Sequence, residues 1–380
     1  MSEASRSTRV SSWNEWDPLR HVIVGRAEGT VVQAPEPAVQ RGWPEDGYPL
    51  GSYGRMPREM EDKAIEQLDN YASLIESRGI RVDRPTPIDF SQQVQTPDWV
   101  QHSMSGCMPP RDLLLTVGNV ILEATMSYRS RWFEYLCYRP LLERYFREDP
   151  GCRWEAAPKP RLTERSYEPD FWTGFNAKSE EEQIEQHTKN RSWALTEEEP
   201  LFDAADVGRF GRDLFVQRST VTNGAGVDWL RRRFSGHRVH DVLFRENTPT
   251  HIDATFVPLR PGLALSNPAR PPLTPELTQL FEKNDWEIIP CATPGHRTKA
   301  RLSNCSVWLS MNVLVLDPKT VCVEADETAQ MDQLDKLGFE VIPVPLWDTS
   351  PFGGGLHCAT ADVYREGTCE DYFPRQVAGF

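Results

Sequence analysis

The chain repeats one order of secondary structure five times: a two-stranded hairpin, a helix with apolar residues at helical spacing, a small or polar break, and a third strand. The clearest copy starts at Asp112, where DLLLTV and VILEAT flank the turn residues Gly118 and Asn119. This pattern is typical of a β-hairpin. RSRWFEYLCYRPLLERYF then predicts a helix kinked at Pro140, and CRWEAAP predicts the third strand.

The other four copies follow the same order. They comprise HVIVG with EDKAIEQLDNYASLIESRG and IRVDRP; LFVQ with VDWLRRRF and HRVHDVLF; TFVPL and LALSN with TPELTQLFEKN and WEIIPC; and NVLVLD and TVCVEA with ETAQMDQLDKL and FEVIPVPL. A generic α/β domain can also alternate in this way by chance. Arranged in a circle, five ββαβ units would pack against their neighbours and bring their loops together near a central axis. We predict a single α/β domain over residues 1–380, with its functional site at that axis.

Two segments interrupt the repeat. Residues 31–60 are rich in Pro and Gly, and residues 166–199 contain SEEEQIEQHTKN and TEEEP. Long irregular inserts are typical of lids, binding loops or disorder. The acidic run is also typical of a solvated surface. We predict irregular inserts near 31–60 and 166–199.

Composition excludes several classes of protein. A chain that is 39% apolar and 26% charged has the composition of a globular protein. The formal net charge of -14 opposes binding to a phosphate backbone, so we expect no nucleic-acid partner. The N-terminus lacks the apolar stretch of a signal peptide, and no segment approaches the roughly 20 apolar residues that span a bilayer. We therefore expect a cytoplasmic protein without a membrane partner.

The sequence offers no recognisable cofactor or metal motif. It contains eight cysteines but no CxxC pair, and we find no GxxxxGK[ST], GxGxxG or HExxH. His251, Asp253, His357 and Cys358 have suitable ligand types, but none of the common zinc spacings is present. We expect no cofactor and no metal.

Three polar clusters contain side chains that could take part in catalysis: FDAADVGRFGRD (202–213), HIDATF (251–256) and GGGLHCATADV (353–363). Cys358 follows three glycines and His357, and glycines allow close approach of backbone and ligand. A thiol with a pKa of about 8.5 attacks efficiently only when that pKa is lowered or a base is nearby. His251 is the candidate base. The alternative is that Cys358 is an inert buried thiol. For His357 we expect a structural or supporting role.

Two aspartate patterns bear on the candidate base. On an extended strand, His251 and Asp253 would lie on the same side, since side chains alternate with period two. Asp203 and Asp206 are three residues apart. They could be the N-cap and first-turn acid of a helix, or one of them could orient the imidazole in a Cys-His-Asp arrangement.

The chain resembles the arginine-dependent amidinotransferases, which include enzymes acting on glycine and on inosamine phosphate, within the pentein superfamily of α/β propellers. The resembling segments are NEWDPLRHVIVG, PRDLLLTVGNVILEATMSYRSRWFEY, APKPRLT, EPLFDAADVGRFGRDLFVQRS, VTNGAGVDWLRRR, HIDATFVPLRPGLALSNPAR, WLSMNVLVLD and GGGLHCATADVYREGT. They span Asn14 to about Tyr372. The resemblance implies a five-bladed, pseudo-symmetric propeller of ββαβ units, which agrees with the repeat.

The resemblance also implies roles for individual residues. Cys358 would be the nucleophile and His251 the general acid/base, with Asp203 orienting the imidazole. Asp112 and Asp253 would be the carboxylates that bind the guanidinium. Arg270 and Ser306 would hold the amino-acid end of arginine. A serine pair of the arginine:glycine enzymes reads Cys305-Ser306 here, so a substrate contact by Cys305 stays open.

The implied reaction moves the amidino group of L-arginine, through a covalent amidino-cysteine, to a primary amine and releases L-ornithine. The partners would be these small molecules, with a homodimer left open. The alternatives are an arginine:glycine amidinotransferase, a pentein hydrolase similar to arginine deiminase, and a catalytically inactive binding module.

The acceptor prediction depends on Thr248 and Thr250, which precede His251. In the arginine:glycine enzymes the matching positions carry the larger Asn and Met. The resemblance therefore implies an acceptor larger than glycine, such as an amine of a natural-product pathway. The alternative is that both threonines only satisfy local backbone hydrogen bonds in a turn.

Overall fold

A computed structural model describes residues 9–32, 34, 36–38 and 54–380. The strands in this part are β1 Leu19–Val24, β2 Val31–Val32, β3 Gly54–Arg55, β4 Arg81–Asp83, β5 Val94–Gln95, β6 Val100–Gln101, β7 Leu114–Val117, β8 Val120–Glu123, β9 Arg153–Ala156, β10 Val207–Phe210, β11 Asp213–Gln217, β12 Arg238–Val242, β13 Phe256–Arg260, β14 Leu263–Ser266, β15 Glu287–Pro290, β16 Leu314–Asp317, β17 Thr320–Glu324, β18 Glu340–Val344 and β19 Thr360–Arg365.

The helices alternate with these strands. They are α1 Arg58–Ser77, α2 Pro110–Leu113, α3 Tyr135–Glu148, α4 Phe171–Asn176, α5 Glu180–Thr188, α6 Gly224–Arg233, α7 Pro275–Lys283 and α8 Thr328–Lys336. Short 3-10 turns cover Arg129–Arg131, Glu164–Ser166, Ala204–Asp206, Ile252–Ala254, Val307–Met311 and Trp347–Phe352. None of the helices in the described ranges is long and apolar enough to span a membrane. The cytoplasmic location stays a prediction.

Within the described ranges, five three-stranded sheets share one topology. Their strand orders are β7-β8-β9, β10-β11-β12, β13-β14-β15, β16-β17-β18 and β19-β1-β4. In each sheet the first two strands pair antiparallel, and the third pairs parallel with the second after a helix has crossed over. The predicted α/β class and the ββαβ order of the units are confirmed.

The unit at the N-terminus takes its first strand from the other end of the chain. In β1, Val22 lies opposite Asp362 of β19, and the two strands run antiparallel. For this reason the sequence copy that begins at HVIVG lacks a preceding strand. The pairing joins the two ends of the described chain in one sheet.

The structure corrects the sequence prediction for one helix and for one insert. The helix predicted from Arg129 begins as a 3-10 turn, and α3 starts only at Tyr135, with Pro140 inside it. Residues 166–199 interrupt the repeat as predicted, but they hold α4 and α5 rather than irregular chain. Apolar residues of this segment form a small core of their own, made of Phe171, Trp172, Phe175 and Ala194. Of the insert near 31–60, residues 33, 35 and 39–53 lie outside the described residues.

A buried cluster of ion pairs joins the N-terminal segment to three of the sheets. Arg209 of β10 pairs with Glu15 and with Asp362 of β19, and it also donates to the carbonyl oxygen of Thr116 in β7. Arg365 Nε donates to Asp362 Oδ2 at 2.8 Å. Buried charges are tolerated only in such paired and hydrogen-bonded arrangements, so this cluster fixes Glu15 in place.

Candidate active site

A cavity of about 410 Å³ collects the residues predicted from the sequence. Its lining includes Asp112, Thr248, Thr250, His251, Asp253, Arg270, Cys305, Ser306 and Cys358. Asp203 is absent from that lining, and its carboxylate lies against His251. Loops from four of the ββαβ units therefore meet at one place, although they are far apart in sequence.

Glycines set the approach of the chain to Cys358. Gly353 and Gly354 have φ angles of 126° and 143°, which residues other than glycine rarely adopt. A Cβ on Gly354 would lie 2.5 Å from the Cys358 Sγ, so this position also needs glycine for space. The side-chain oxygen of Asn312 accepts hydrogen bonds from the backbone N–H groups of His357 and Cys358, at 2.9 and 3.0 Å. The thiol is thus held by a rigid turn.

The thiol of Cys358 is buried beside two carboxylates. Its Sγ lies 3.4 Å from Asp253 Oδ2. Burial raises the pKa of Cys358 well above its ordinary value, and the negative charges of Asp253 and Asp112 raise it further. The resting site therefore holds a protonated thiol, and a cation bound between the two carboxylates would lower its pKa.

His251 does not lie on an extended strand, and the strand prediction for HIDATF is wrong at its start. His251 has a φ of 63°, and Ile252–Ala254 form a 3-10 turn before β13 begins at Phe256. The positive φ at His251 places this residue outside an extended strand conformation. His251 and Asp253 nevertheless both line the cavity, through a turn rather than through strand alternation.

The imidazole of His251 lies between two carboxylates. Its Nε2 is 3.1 Å from Asp203 Oδ2, and its Nδ1 is 3.5 Å from Asp112 Oδ1. Burial lowers the pKa of His251, but Asp112, Asp203 and Asp206 outweigh it and raise that pKa to about 10. The ring is therefore positively charged at neutral pH.

The structure distinguishes the roles of Asp203 and Asp206, which the sequence left open. Asp203 occupies the position before the 3-10 turn Ala204–Asp206, but its side chain makes no capping hydrogen bond to that turn and faces His251 instead. Asp206 Oδ2 accepts hydrogen bonds from Ser219 and Thr222, both at 2.6 Å. Asp203 is thus placed to orient the imidazole.

Asp112, Asp203 and His251 also have the ligand types and the proximity of a metal site. Their ligand atoms lie within 4.8 Å of one another. This set differs from the metal-ligand set considered from the sequence. The charged imidazole already supplies the positive charge that the two carboxylates need, so the cluster is accounted for without an ion.

Arg131 and Glu134 are site residues that sequence reasoning missed. Arg131 Nη1 donates to Asp112 Oδ2 at 2.7 Å, and the same guanidinium makes two hydrogen bonds to Glu134, at 2.7 and 3.0 Å. Both residues line the cavity. An Arg and a Glu three residues apart normally suggest an exposed helical pair, so the spacing alone gave no signal of this burial. Among the described residues, Asp112 Oδ1 has no hydrogen-bond partner.

His357 connects Asp253 to the buried ion-pair cluster. Its Nδ1 is 2.7 Å from Asp253 Oδ2, and its Nε2 is 3.4 Å from Glu15 Oε2. Burial raises the pKa of Asp253, but His357 and His251 outweigh burial, and the net pKa is lowered. Asp253 therefore stays ionised next to the thiol. The supporting role predicted for His357 has a geometric basis, whereas Glu15 was not predicted.

Arg270 and Ser306 form a separate polar group in the cavity. Arg270 Nη2 lies 3.0 Å from Ser306 Oγ and 3.0 Å from Glu246 Oε1. The neighbouring Cys305 also lines the cavity, and its thiol lies 3.5 Å from the carbonyl oxygen of Ser350. A guanidinium beside a hydroxyl is suited to binding a carboxylate.

Thr248 and Thr250 line the cavity next to His251. The Thr250 hydroxyl is 2.9 Å from the Thr220 hydroxyl and 3.4 Å from the carbonyl oxygen of Thr248. Thr250 therefore has the local hydrogen bonds of the alternative interpretation and a position in the cavity wall as well.

Comparison with known proteins adds relatives over almost the whole chain, although no family model matches it. The chain is 41% identical over 368 residues to mitochondrial glycine amidinotransferase of Danio rerio, covering 96% of this chain and 85% of the relative. It is 35% identical over 371 residues to L-arginine:L-lysine amidinotransferase of Pseudomonas savastanoi pv. phaseolicola, covering 97% of each chain.

Solved structures agree with these relatives. SxtG, an amidinotransferase of the saxitoxin biosynthetic pathway from Microseira wollei, aligns with a TM-score of 0.84 at 37% identity, covering 96% of this chain and 99% of that one. The inosamine-phosphate amidinotransferase StrB1 of Streptomyces griseus aligns with a TM-score of 0.83 at 38% identity, with the same coverage. DDAH of Pseudomonas aeruginosa, at 14% identity, covers 91% of this chain and 99% of its own with a TM-score of 0.56, which is evidence of the fold alone.

Proposed function

Because the chain belongs to the amidinotransferase family and is an enzyme that transfers amidino groups, we propose that it takes this group from L-arginine. The group passes through a covalent amidino-cysteine on Cys358 to a primary amine larger than glycine, and L-ornithine is released. One observation carries the proposal: a buried thiol, two carboxylates and a positively charged imidazole share one cavity.

Arginine fits this cavity as a molecule with two charged ends. Its planar guanidinium would lie between Asp112 and Asp253, where carboxylates can accept paired, charge-assisted hydrogen bonds. Asp112 Oδ1 supports this placement, because among the described residues it has an ion-pair contact with His251 but no hydrogen-bond partner. At the other end, Arg270 and Ser306 would hold the carboxylate of the amino acid.

The first half-reaction forms the covalent intermediate. The bound guanidinium offsets the carboxylate charges that raise the pKa of Cys358, so binding of arginine lowers that pKa and the thiol releases its proton to solvent. The sulfur then bonds to the guanidino carbon, and the bond from that carbon to the side-chain nitrogen of the departing ornithine breaks. His251 is already protonated and donates its proton to that nitrogen.

The second half-reaction uses the same atoms in reverse. After ornithine leaves, an amine nitrogen bonds to the amidino carbon, the carbon–sulfur bond breaks, and Cys358 recovers its thiolate. His251, now neutral, takes the proton of the incoming amine. Asp203 favours the charged imidazole at that point, as it does in the resting enzyme. The product is a new guanidine, and the thiol takes a proton back when the product leaves.

The small side chains of Thr248 and Thr250 support a larger acceptor. They stand beside His251, where the amine must approach, and leave space that Asn and Met would fill. The relatives are named for different acceptors, glycine and lysine among them, so identity alone does not select one. We propose an amino sugar, an aminocyclitol or an amine derived from an amino acid.

We further propose that the five sheets are the blades of one pentein propeller, as a single domain over residues 1–380. The pairing of β19 with β1 supports this arrangement, because it would close the ring between the two ends of the chain. The convergence of loops from different units on one cavity is what a central axis would produce.

The test is incubation with arginine alone and with arginine plus a panel of amines, with ornithine and citrulline both measured. We expect ornithine whose continued production requires an amine, and parallel lines in double-reciprocal plots, because ornithine leaves before the amine binds. Citrulline as the main product would instead identify a hydrolase, and the absence of both products would favour a binding module.

A further inference from the structure

Helix α5 of the 166–199 insert contacts the segment that leads to His251. The Gln183 side-chain oxygen accepts a hydrogen bond from Asn247 Nδ2 at 2.9 Å. His187 Nε2 lies 2.9 Å from the backbone oxygen of the same asparagine. Glu181 also pairs with Arg245. Three positions on one helix therefore hold Arg245 and Asn247.

His187 is fixed by the core of the insert itself. Its ring stacks on Trp193, with centroids 4.4 Å apart and an interplanar angle of 21°, and it lies 5.2 Å from the ring of Phe175. Its Nδ1 is 3.0 Å from the backbone oxygen of Ser192. A neutral imidazole donates to one of its two carbonyl neighbours, and a protonated one donates to both. The side chain is thus a rigid link between the insert and Asn247.

Hydrogen bonds at its N-terminal end stabilise helix α5, which carries these contacts. Ser179 and Glu182 form a capping box at its N-terminus, with Glu182 accepting from the Ser179 backbone at 2.9 Å. Gln183 Nε2 donates to the backbone oxygen of Phe175 at 3.0 Å. Gln183 and His187 are four residues apart, so they lie on the same face of the helix.

The segment held by α5 is anchored a second time before it reaches His251. The backbone N–H and the hydroxyl of Thr220 both donate to the backbone oxygen of Pro249, at 2.8 and 3.1 Å. Thr248 and Thr250 flank this anchor and line the cavity. Their positions in the wall therefore depend on Asn247 on one side and on Thr220 on the other.

We infer that α5 is an element of acceptor selectivity, in which Gln183 and His187 act as positioning residues that place Thr248 and Thr250 through Asn247. The inference rests on the proposed function for those two threonines. Its ligand class is the amine, because Thr248 and Thr250 line the wall that the amine is proposed to approach. Of the groups proposed to hold arginine, Asp112, Arg270 and Ser306 lie on other segments, and Asp253 lies beyond the second anchor at Pro249.

The test compares the two half-reactions in His187→Phe and Gln183→Leu. Phenylalanine keeps a ring in the aromatic cluster and removes the polar contacts to Asn247 and Ser192. Glu185→Gln is the matched control, since Glu185 is on the same helix, is partly exposed and pairs with Lys189. We measure ornithine released from arginine alone in a single turnover, and KM for glycine, L-lysine and the aminocyclitol 2-deoxystreptamine.

We expect single-turnover release of ornithine to stay within twofold of wild type in all three variants. The KM for the amine should rise about three- to tenfold in His187→Phe and Gln183→Leu, as expected for one lost hydrogen bond. The order of preference among the amines should change in the same two variants. Hydrogen exchange of residues 246–251 should become faster in them, and Glu185→Gln should match wild type in every measurement.

Two results would overturn the inference. An equal loss in ornithine release and in amine KM would make α5 a general scaffold. Unchanged exchange in residues 246–251 would show that α5 does not position this segment, even where none of the three amines is turned over. Failure of the proposed function itself is distinguishable, because wild-type enzyme would then release no ornithine from arginine.

Discussion

The two sides of the cavity differ in the chemistry of their side chains. The donor side consists of charged groups, Asp112, His251, Asp253 and the ionisable Cys358, each in contact with a charged neighbour. His251 is half-buried and the other three are buried. The acceptor side consists of neutral threonines whose backbone is held by hydrogen bonds from α5 and Thr220. One side belongs to the repeating units, and the other depends on an insert outside them.

The acceptor side tolerates substitutions better than the donor side. Removing one partner of a buried ion pair leaves an uncompensated charge and is strongly destabilising. Replacing a neutral hydroxyl side chain next to open cavity space has a much smaller cost. The donor side is therefore constrained to one chemistry, whereas the acceptor side can be altered for a different amine.

The largest expected effect is on the donor side, in Cys358→Ala. Removing the nucleophile should lower turnover by roughly 10⁴- to 10⁶-fold, as in other enzymes that form covalent intermediates. With arginine and no acceptor, the intact mass of wild-type enzyme should increase by one amidino group, and the variant should show no increase.

Cys305→Ala is the control for that experiment, since Cys305 is a second thiol in the same cavity. It should keep the adduct. Substantial ornithine production by Cys358→Ala would show that Cys358 is not the nucleophile, and Cys305 would then be the next thiol to test.

A smaller but still large effect is expected for Asp203→Asn. The loss of an orienting carboxylate should lower kcat by roughly 10²- to 10⁴-fold. His251 acts as an acid in the first half-reaction, so the rate of that step should fall as pH rises through about 10, the raised pKa of the ring. With one carboxylate fewer, that pKa falls and the alkaline limb moves to lower pH.

The measurement is the pH dependence of single-turnover ornithine release, with Asp206→Asn as the control. Asp206 bonds to Ser219 and Thr222 and not to the ring, so its variant should shift the limb less. An alkaline limb that stays in place in Asp203→Asn would contradict the assignment of His251 as the acid held by Asp203.

The donor side could be predicted from the sequence only in part. Apolar periodicity is local, so the ββαβ units were recognisable, and Cys358 carried a local signal in its glycines. Arg131 and Glu15 were not predicted, because they become site residues only through contacts with Asp112 and His357 that are distant in sequence. The turn at His251 depends on a left-handed backbone conformation that a strand pattern does not reveal.

Two residues of the acceptor side were predicted from the sequence, but the residues of α5 that contact its backbone were not. Thr248 and Thr250 were singled out by their place before His251. The acidic composition of the 166–199 insert indicated an exposed surface, and it hid Gln183 and His187, which face Asn247. A charge count averages over a helix, whereas the contacts of α5 lie on one face of it.

Exchange of the acceptor-side threonines should have an intermediate effect. In Thr248→Asn with Thr250→Met, the larger side chains should fill space beside His251 and favour glycine. We expect the ratio of kcat/KM for glycine to that for the best larger amine to rise by about tenfold or more. Single-turnover ornithine release should be unchanged. Glycine as the best acceptor of the wild-type enzyme would contradict this interpretation of the pocket, although the chain would remain an amidinotransferase.

The smallest expected effect is at Glu181, whose contact with Arg245 is exposed, whereas the contacts of α5 with Asn247 are part-buried. Glu181 and Arg245 are 61% and 42% exposed, and an ion pair in water contributes little, because solvent screens it and two long side chains lose freedom. Glu181→Gln should therefore change the amine KM by less than about twofold, and 0.5 M salt should remove what difference there is. The contacts of His187 and Gln183 with Asn247 are part-buried and do not join two charged side chains, so their variants should exceed this effect at both salt concentrations. A tenfold, salt-sensitive rise in KM for Glu181→Gln would show that the acceptor wall is held by surface charge, and the contrast between a charged donor side and a neutral acceptor side would fail.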